Sequence, residues 1–222
     1  MPTNKQTFYR YDAQPVSIKP LEGIIEGYPI VFNQRTNIGD LFFEEIDPHA
    51  LDKADLSDIK FLVNHNDSMI PVARHRRGSR STMDVAVDTE GMQICARLDL
   101  ENNSTAKELC SAVTREDITD MSFAFGMLVS GEQWSDLDKD MPVRRITEIA
   151  KVFEISAVND GAYPQTSINA RSATLENEKN ALDNARAATL ENEKRAAEQK
   201  AQAALMLEKQ KYLFMEERKN VY

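Results

Sequence analysis

Through residues 1–170 the apolar positions come two apart or in short runs closed by Gly or Pro, the spacing of β-strands. Residues 23–32, with internal Gly27 and Pro29, predict a bent or bulged strand. Residues 41–46 predict a second strand, which runs into Asp47 and Pro48. There Asp47 can cap a short helix with Pro48 at its first position. Residues 59–63 form a short apolar strand that stops at Asn64-His65-Asn66-Asp67, and the basic stretch 74–80 predicts an exposed loop. Residues 83–87 and 92–98 flank Asp88-Thr89-Glu90-Gly91, a hairpin signal. Thr105 and Glu108 make a capping box for a helix through Leu109, Ala112 and Val113. Residues 121–129 and 145–158 predict two further strands. Many strands around few helices predict an α+β fold, mainly a closed or nearly closed β-barrel with helices packed outside it.

Beyond residue 170 the pattern changes. Neither Gly nor Pro occurs, and Ala, Glu, Lys, Leu and Asn dominate, which predicts a long C-terminal helix. Residues 170–179 recur at 185–194 with one difference in ten. An apolar stripe keeps the same beat through Leu175, Leu182, Leu190, Ala197, Leu205 and Tyr212, at spacings of 7, 8, 7, 8 and 7. Fifteen residues over four turns is about 3.75 per turn, so a coiled coil built on this stripe would lean right-handed. One reading is a solvated helix stabilised by Ala and i,i+4 charge pairs; the other is a helix that docks on a partner's helices. The chain is therefore divided into a folded domain, 1–169, and a helical, repeat-containing tail, 170–222.

Charge narrows the function. The net charge is −9. Residues 171–222 hold 10 Lys+Arg against 9 Asp+Glu, leaving 17 basic and 27 acidic residues in the front part. Nucleic-acid affinity rests on basic side chains that neutralise phosphates, so no nucleic-acid partner is expected. No signal peptide and no membrane-spanning apolar run is read, which fits a reducing cytosol. Cys95 and Cys110 are the only cysteines. They are expected in the core, unpaired, and two isolated cysteines cannot make a zinc site.

The motifs that are missing exclude large enzyme classes. No phosphate-cradling glycine loop, HExxH, paired CxxC or Gly-x-Ser-x-Gly elbow is present. What remains is acid–base and nucleophilic chemistry by single side chains, without a cofactor or metal. A hydroxyl nucleophile needs a base within hydrogen-bond reach, usually histidine. Of three histidines, His49 follows a turn-forming Asp-Pro and His75 lies among arginines. His65 follows a buried-looking strand, a rigid platform with one end open. Ser122 stands in the apolar strand Met121-Ser122-Phe123-Ala124-Phe125-Gly126, and Ser156 in Glu154-Ile155-Ser156-Ala157-Val158 is its rival. Glu148 and Glu154, six apart in one expected strand, would share a face, and a buried carboxylate asks for a cationic or N–H partner.

Those segments, with Arg144-Arg145-Ile146-Thr147-Glu148 and the stretches 23–32 and 42–50, together resemble the prohead proteases of tailed bacteriophages. That family is related to the herpesvirus capsid protease, assemblin. The resemblance covers roughly residues 20–171. It implies an assemblin-like fold and a serine endopeptidase with the catalytic order His65, Ser122, Glu154, Glu148 being the alternative third member. Two departures, Gly161 before Ala-Tyr-Pro and Arg74 after the His65 loop, bear on loop shape.

The resemblance further implies that Glu154 orients His65, that His65 takes the Ser122 proton, and that backbone N–H groups bind the oxyanion, a contribution often worth a few kcal/mol. The implied partners are the major capsid protein precursor with its scaffold or delta segment, and the protease itself through autocleavage. Lys179-Asn180 and Lys219-Asn220 are the candidate self-cleavage points. The implied setting is the host cytoplasm, inside the assembling prohead, with a homo-oligomer left open. A non-enzymatic capsid scaffold or assembly adaptor working through the C-terminal helix is the alternative.

Overall fold

A computed structural model describes residues 6–10, 17–19, 23–159 and 168–219. The chain falls into two compact units, Met1–Leu175 and Glu176–Tyr222.

Three sheets build the first unit. The central one has the order β1 (Gln6–Arg10), β10 (Asp120–Met127), β13 (Ile149–Val158), β6 (Asp58–Val63), β7 (Ala73–Arg76). A second joins β2 (Ser17–Lys19), β3 (Ile24–Val31), β9 (Gly91–Arg97) and β8 (Met83–Val87). The third orders β11 (Glu132–Ser135), β12 (Val143–Ile146), β5 (Phe42–Ile46) and β4 (Thr36–Ile38). One cluster of buried Ile, Phe, Val, Met and Ala side chains runs between the sheets. The helix α1 (Ser104–Thr114) adds Ala106, Leu109, Cys110 and Val113 to it. Both cysteines are free: Cys110 is buried, and burial pushes its thiol up, while Cys95 is half-buried.

Several local features follow from turn chemistry. β3 shifts register against β9 between Gly27 and Ile30, the bulge that its glycine and proline predict. In the β8–β9 hairpin Asp88 accepts from the backbone N–H groups of Glu90 and Gly91. Gly91 is required there, because a Cβ would lie 1.9 Å from the Ile30 carbonyl oxygen.

Other expectations are corrected. No closed barrel forms among the described residues. Closure needs continuous strand pairing with a fixed stagger, yet strand pairing between the three sheets is confined to isolated contacts. The second and third touch at the single bridge Phe32↔Ile46. β7 reaches the second sheet through a loop residue, with Thr82 N–H donating to Arg74 C=O and Arg97 N–H to Thr82 C=O. The strand expected over 145–158 is two strands in different sheets, because the chain breaks at Thr147-Glu148. Asp47 caps no helix; it accepts from the His49 N–H in a tight turn. The α1 cap is Asn103, whose side chain accepts from Ala106 N–H, in place of Thr105. The basic stretch is partly strand, since Ala73–Arg76 pairs with β6. Gly161 lies outside the described residues.

The second unit continues α2 (Ile168–Lys219), a 52-residue helix that would measure roughly 78 Å at the standard rise. Lys179-Asn180 is therefore helix interior, not a linker, and Asn220 lies outside the described residues. Of the apolar stripe, Leu182 is buried, while Leu190 and Leu205 are 67% and 55% exposed, beside a 72% exposed Met206. Leu175 and Tyr212 have no described side chains. Glu191 and Arg195 form an i,i+4 ion pair.

Candidate active site

The three central strands of the first sheet bring together residues far apart in the chain. β10 runs antiparallel to β13 with Ser122 opposite Ser156 and Ala124 opposite Glu154. Opposed residues project from the same face of a sheet, so Ser122, Glu154 and Ser156 share one. Phe123 and Phe125 point the other way into the core and stack at 5.3 Å. β6 pairs parallel on the far side of β13, with Glu154 opposite Lys60 and Ser156 opposite Leu62.

Just past β6, Asn64 and His65 both take left-handed backbone conformations, with φ of 50° and 54°. Asparagine tolerates this region; histidine enters it at a cost of order 1 kcal/mol. Three hydrogen bonds to the end of β13 hold the turn. Asn64 N–H donates to Ala157 C=O at 2.9 Å, and Asn159 N–H donates to the Asn64 side-chain oxygen at 3.1 Å. The His65 N–H donates to Ser156 Oγ at 3.1 Å. The turn swings the imidazole over β13.

There His65 Nε2 stands 2.7 Å from Ser122 Oγ, a residue 57 positions away, and Nδ1 stands 2.5 Å from Glu154 Oε1, 89 positions away. The second Glu154 oxygen accepts from the Ser156 hydroxyl at 2.7 Å. An ionised carboxylate only accepts, so the bonding assigns the imidazole proton to Nδ1. The Nε2 lone pair is then free to accept from the Ser122 hydroxyl. Ser122 is fully buried, and the side chains of His65 and Glu154 are only 5% and 8% exposed. In so dry a setting each charged contact is stronger than in water, and Glu154 is tolerable because two donors satisfy it.

A cavity of about 210 Å³ adjoins the group, lined by Lys60, Leu62, His65, Asp67, Ala124, Phe153 and Glu154. A carbonyl entering from it must displace some lining atom to reach Ser122, since the hydroxyl has no exposed surface of its own. The strand that leads to His65 is pinned at its start, where the Arg74 guanidinium beside Asp58 holds that carboxyl below the usual carboxylate range. This contribution is present above the ordinary Asp range and lost as pH falls through the lowered folded value.

The arrangement joins His65, Ser122 and Glu154 and leaves the other candidates apart. Glu148 lies in the break between β12 and β13 and faces Lys53 at 3.8 Å. His49 pairs with Asp52 at the surface, and His75 contacts the Met83 carbonyl from β7. Ser156 directs its hydroxyl at Glu154 and its oxygen at the His65 amide. Sequence reading weighed Ser156 only as a rival nucleophile. The signal for another role was its spacing: two residues after Glu154 in a strand puts both on one face. Among the described residues no group of three or more His, Cys, Asp or Glu side chains is placed to hold a metal ion, and no described helix is long and apolar enough to cross a membrane.

A family model described as caudovirus prohead serine protease matches residues 14–181. No curated protein and no solved structure matches the chain.

Proposed function

The chain belongs to the caudovirus prohead serine protease family, and from that premise we propose that it is an endopeptidase in which Ser122, His65 and Glu154 act as nucleophile, base and orienting acid. The observation that carries this reading is the single imidazole bonded to the serine hydroxyl through Nε2 and to the buried carboxylate through Nδ1. An ordinary serine hydroxyl is a poor nucleophile at neutral pH. A histidine at 2.7 Å removes its proton as the oxygen attacks a peptide carbonyl. The imidazolium so formed is stabilised by Glu154 and returns the proton to the leaving amine. Water then hydrolyses the acyl-enzyme through the same His65.

Substrate follows from the family's place in capsid maturation. We infer that the enzyme cleaves the scaffold or delta segment of the capsid protein precursor, and its own chain. Self-cleavage at Lys179-Asn180 would require α2 to unwind locally, because a protease takes its substrate extended. The exposed Leu190, Leu205 and Met206 of α2 support a second task, docking on helices of a capsid partner. Such tethering raises the local concentration of scissile chain without a tight active site.

Co-expression with the capsid precursor tests the proposal. Wild type should convert the precursor to a shorter species on a gel, with one new N-terminus, and His65→Ala should leave it full length. Conversion by His65→Ala at the wild-type rate would remove the base from the mechanism. The two glutamates separate further. Glu154→Gln presents the wrong tautomer to His65, and kcat should fall by about 10³–10⁴. Glu148→Gln, beyond the site, should leave kcat unchanged in the same peptide assay.

A further inference from the structure

Ser156 bridges the two elements that the proposed mechanism needs to keep in register. It is fully buried in β13 directly opposite Ser122. Its hydroxyl proton goes to Glu154 Oε2 at 2.7 Å, and its oxygen accepts the His65 backbone N–H at 3.1 Å. One hydroxyl thus fixes the carboxylate that faces the imidazole and the backbone of the residue that carries the imidazole. Both tasks are demanding. A carboxylate with one oxygen on Nδ1 and none on the other side can rotate about its last torsion, a soft one. His65 sits in a left-handed conformation, which a non-glycine residue adopts at some cost, and the Ser156 oxygen accepts its N–H there.

We propose that Ser156 is a positioning residue of the catalytic group. By holding Glu154 and the His65 backbone together, it keeps Nε2 aimed at Ser122. This rests on the reading of His65 and Glu154 as base and acid. It also removes Ser156 from contention as a nucleophile, since its proton is spent on Glu154 and its oxygen on an amide.

Removing the hydroxyl leaves two buried polar groups, the second carboxylate oxygen and the His65 N–H, without this partner. The Ala124 and Ser122 side chains on β10, the nearest strand on that face, offer no charge to replace it. Of the charged groups around the site, Lys60 lies opposite Glu154 on β6 and Asp67 lines the cavity from beyond His65.

The test uses the full chain and three substitutions. Ser156→Ala removes the hydroxyl, Ser156→Cys keeps the size with a weak S–H donor, and Ser156→Thr keeps the hydroxyl. With a peptide substrate, Ala and Cys should each lower kcat by about 10–100-fold, the rate equivalent of one charge-assisted hydrogen bond, with KM little changed. Thr should recover most of the loss. A merely structural role would not move the second readout, the far-downfield proton resonance of the His65 Nδ1–H. That signal should be present in wild type and Thr, and lost or shifted in folded Ala and Cys. If the threonine methyl does not fit, the Ala and Cys pair still decides the matter. Wild-type kcat and an unchanged resonance in either of them overturn the proposal. Labelling with a serine-directed phosphonate distinguishes this failure from a deeper one. A label on Ser122 with fully active Ser156→Ala sinks only the positioning role, whereas a label on Ser156 sinks the underlying assignment as well.

Discussion

Ser122→Ala is expected to lower kcat/KM for a cleavable peptide by about 10⁴-fold or more, to the level left by binding and oxyanion contacts alone. The size of the effect follows from the proposed chemistry: without the hydroxyl that mechanism has no acyl-enzyme, and its base has nothing to deprotonate. The protein should nevertheless fold. The substitution removes one oxygen from a fully buried strand position and leaves His65 Nε2 without that partner. Such a loss costs about 1–3 kcal/mol against a total stability of roughly 5–15 kcal/mol. Circular dichroism and thermal unfolding of the variant check the second half of the statement, and a fluorogenic peptide the first. A folded Ser122→Ala protein with substantial hydrolysis would mean that the nucleophile is elsewhere.

The largest effect on stability is expected in a different sheet, at Arg144. Its side chain is fully buried in β12, with Nε donating to Glu132 at 2.5 Å and a second nitrogen donating to Glu44 at 3.3 Å. The guanidinium carbon also stands 5.7 Å from the centre of the Trp134 ring, so charge, fork geometry and stacking all favour arginine here. Arg144→Ala takes the guanidinium away from two carboxylates, the buried Glu44 and the partly exposed Glu132, and opens a cavity. Breaking a buried pair from one side costs about 3–5 kcal/mol, which for a chain of this size lowers Tm by roughly 6–20 °C. Replacing Arg144, Glu44 and Glu132 together by Met, Leu and Leu should cost far less, because no charge is then stranded. Urea melts of the two variants compare these outcomes. Equal destabilisation would show that the stranded charges are not what decides. The fraction of Arg144→Ala that remains folded should keep its kcat, since β12 belongs to a different sheet from Ser122, His65 and Glu154.

What was legible in the chain divides along physical lines. Strand positions were readable where a run of apolar residues ends in a turn residue, as at β6 before Asn64 and at the β8–β9 hairpin closed by Gly91. The break between β12 and β13 was not, because Arg145 to Val158 keeps a strand-like composition throughout. What ends the first strand is the approach of Gly131, whose N–H bonds Leu128 and whose carbonyl takes the N–H groups of Thr147 and Glu148. That is a long-range contact with no local signature. The expected barrel closure, absent among the described residues, was misread for a similar reason. Strand number sets how many ladders are available, but whether the ends meet depends on loops such as the one carrying Thr82.

At the site the residue types could be narrowed by elimination, since three histidines and the absence of other motifs left few bases. The choice of Glu154 over Glu148 rested on a family pattern, and the two prove to lie in different surroundings. The role proposed for Ser156 stayed hidden because a serine in an apolar strand looks alike whether it attacks, bonds the backbone or steadies a carboxylate. The His65 hydrogen bonds that bear on the choice join β13 to a residue far away in the chain and have no trace in the local sequence.

All of this depends on one imidazole making one serine reactive. Exposing the purified protein to a serine-directed phosphonate and mapping the adduct by peptide mass spectrometry addresses that point with a single reading. The account predicts one modified peptide, containing Ser122, and no adduct in His65→Ala. Modification of Ser156 instead, or labelling of Ser122 that persists undiminished without His65, would contradict it.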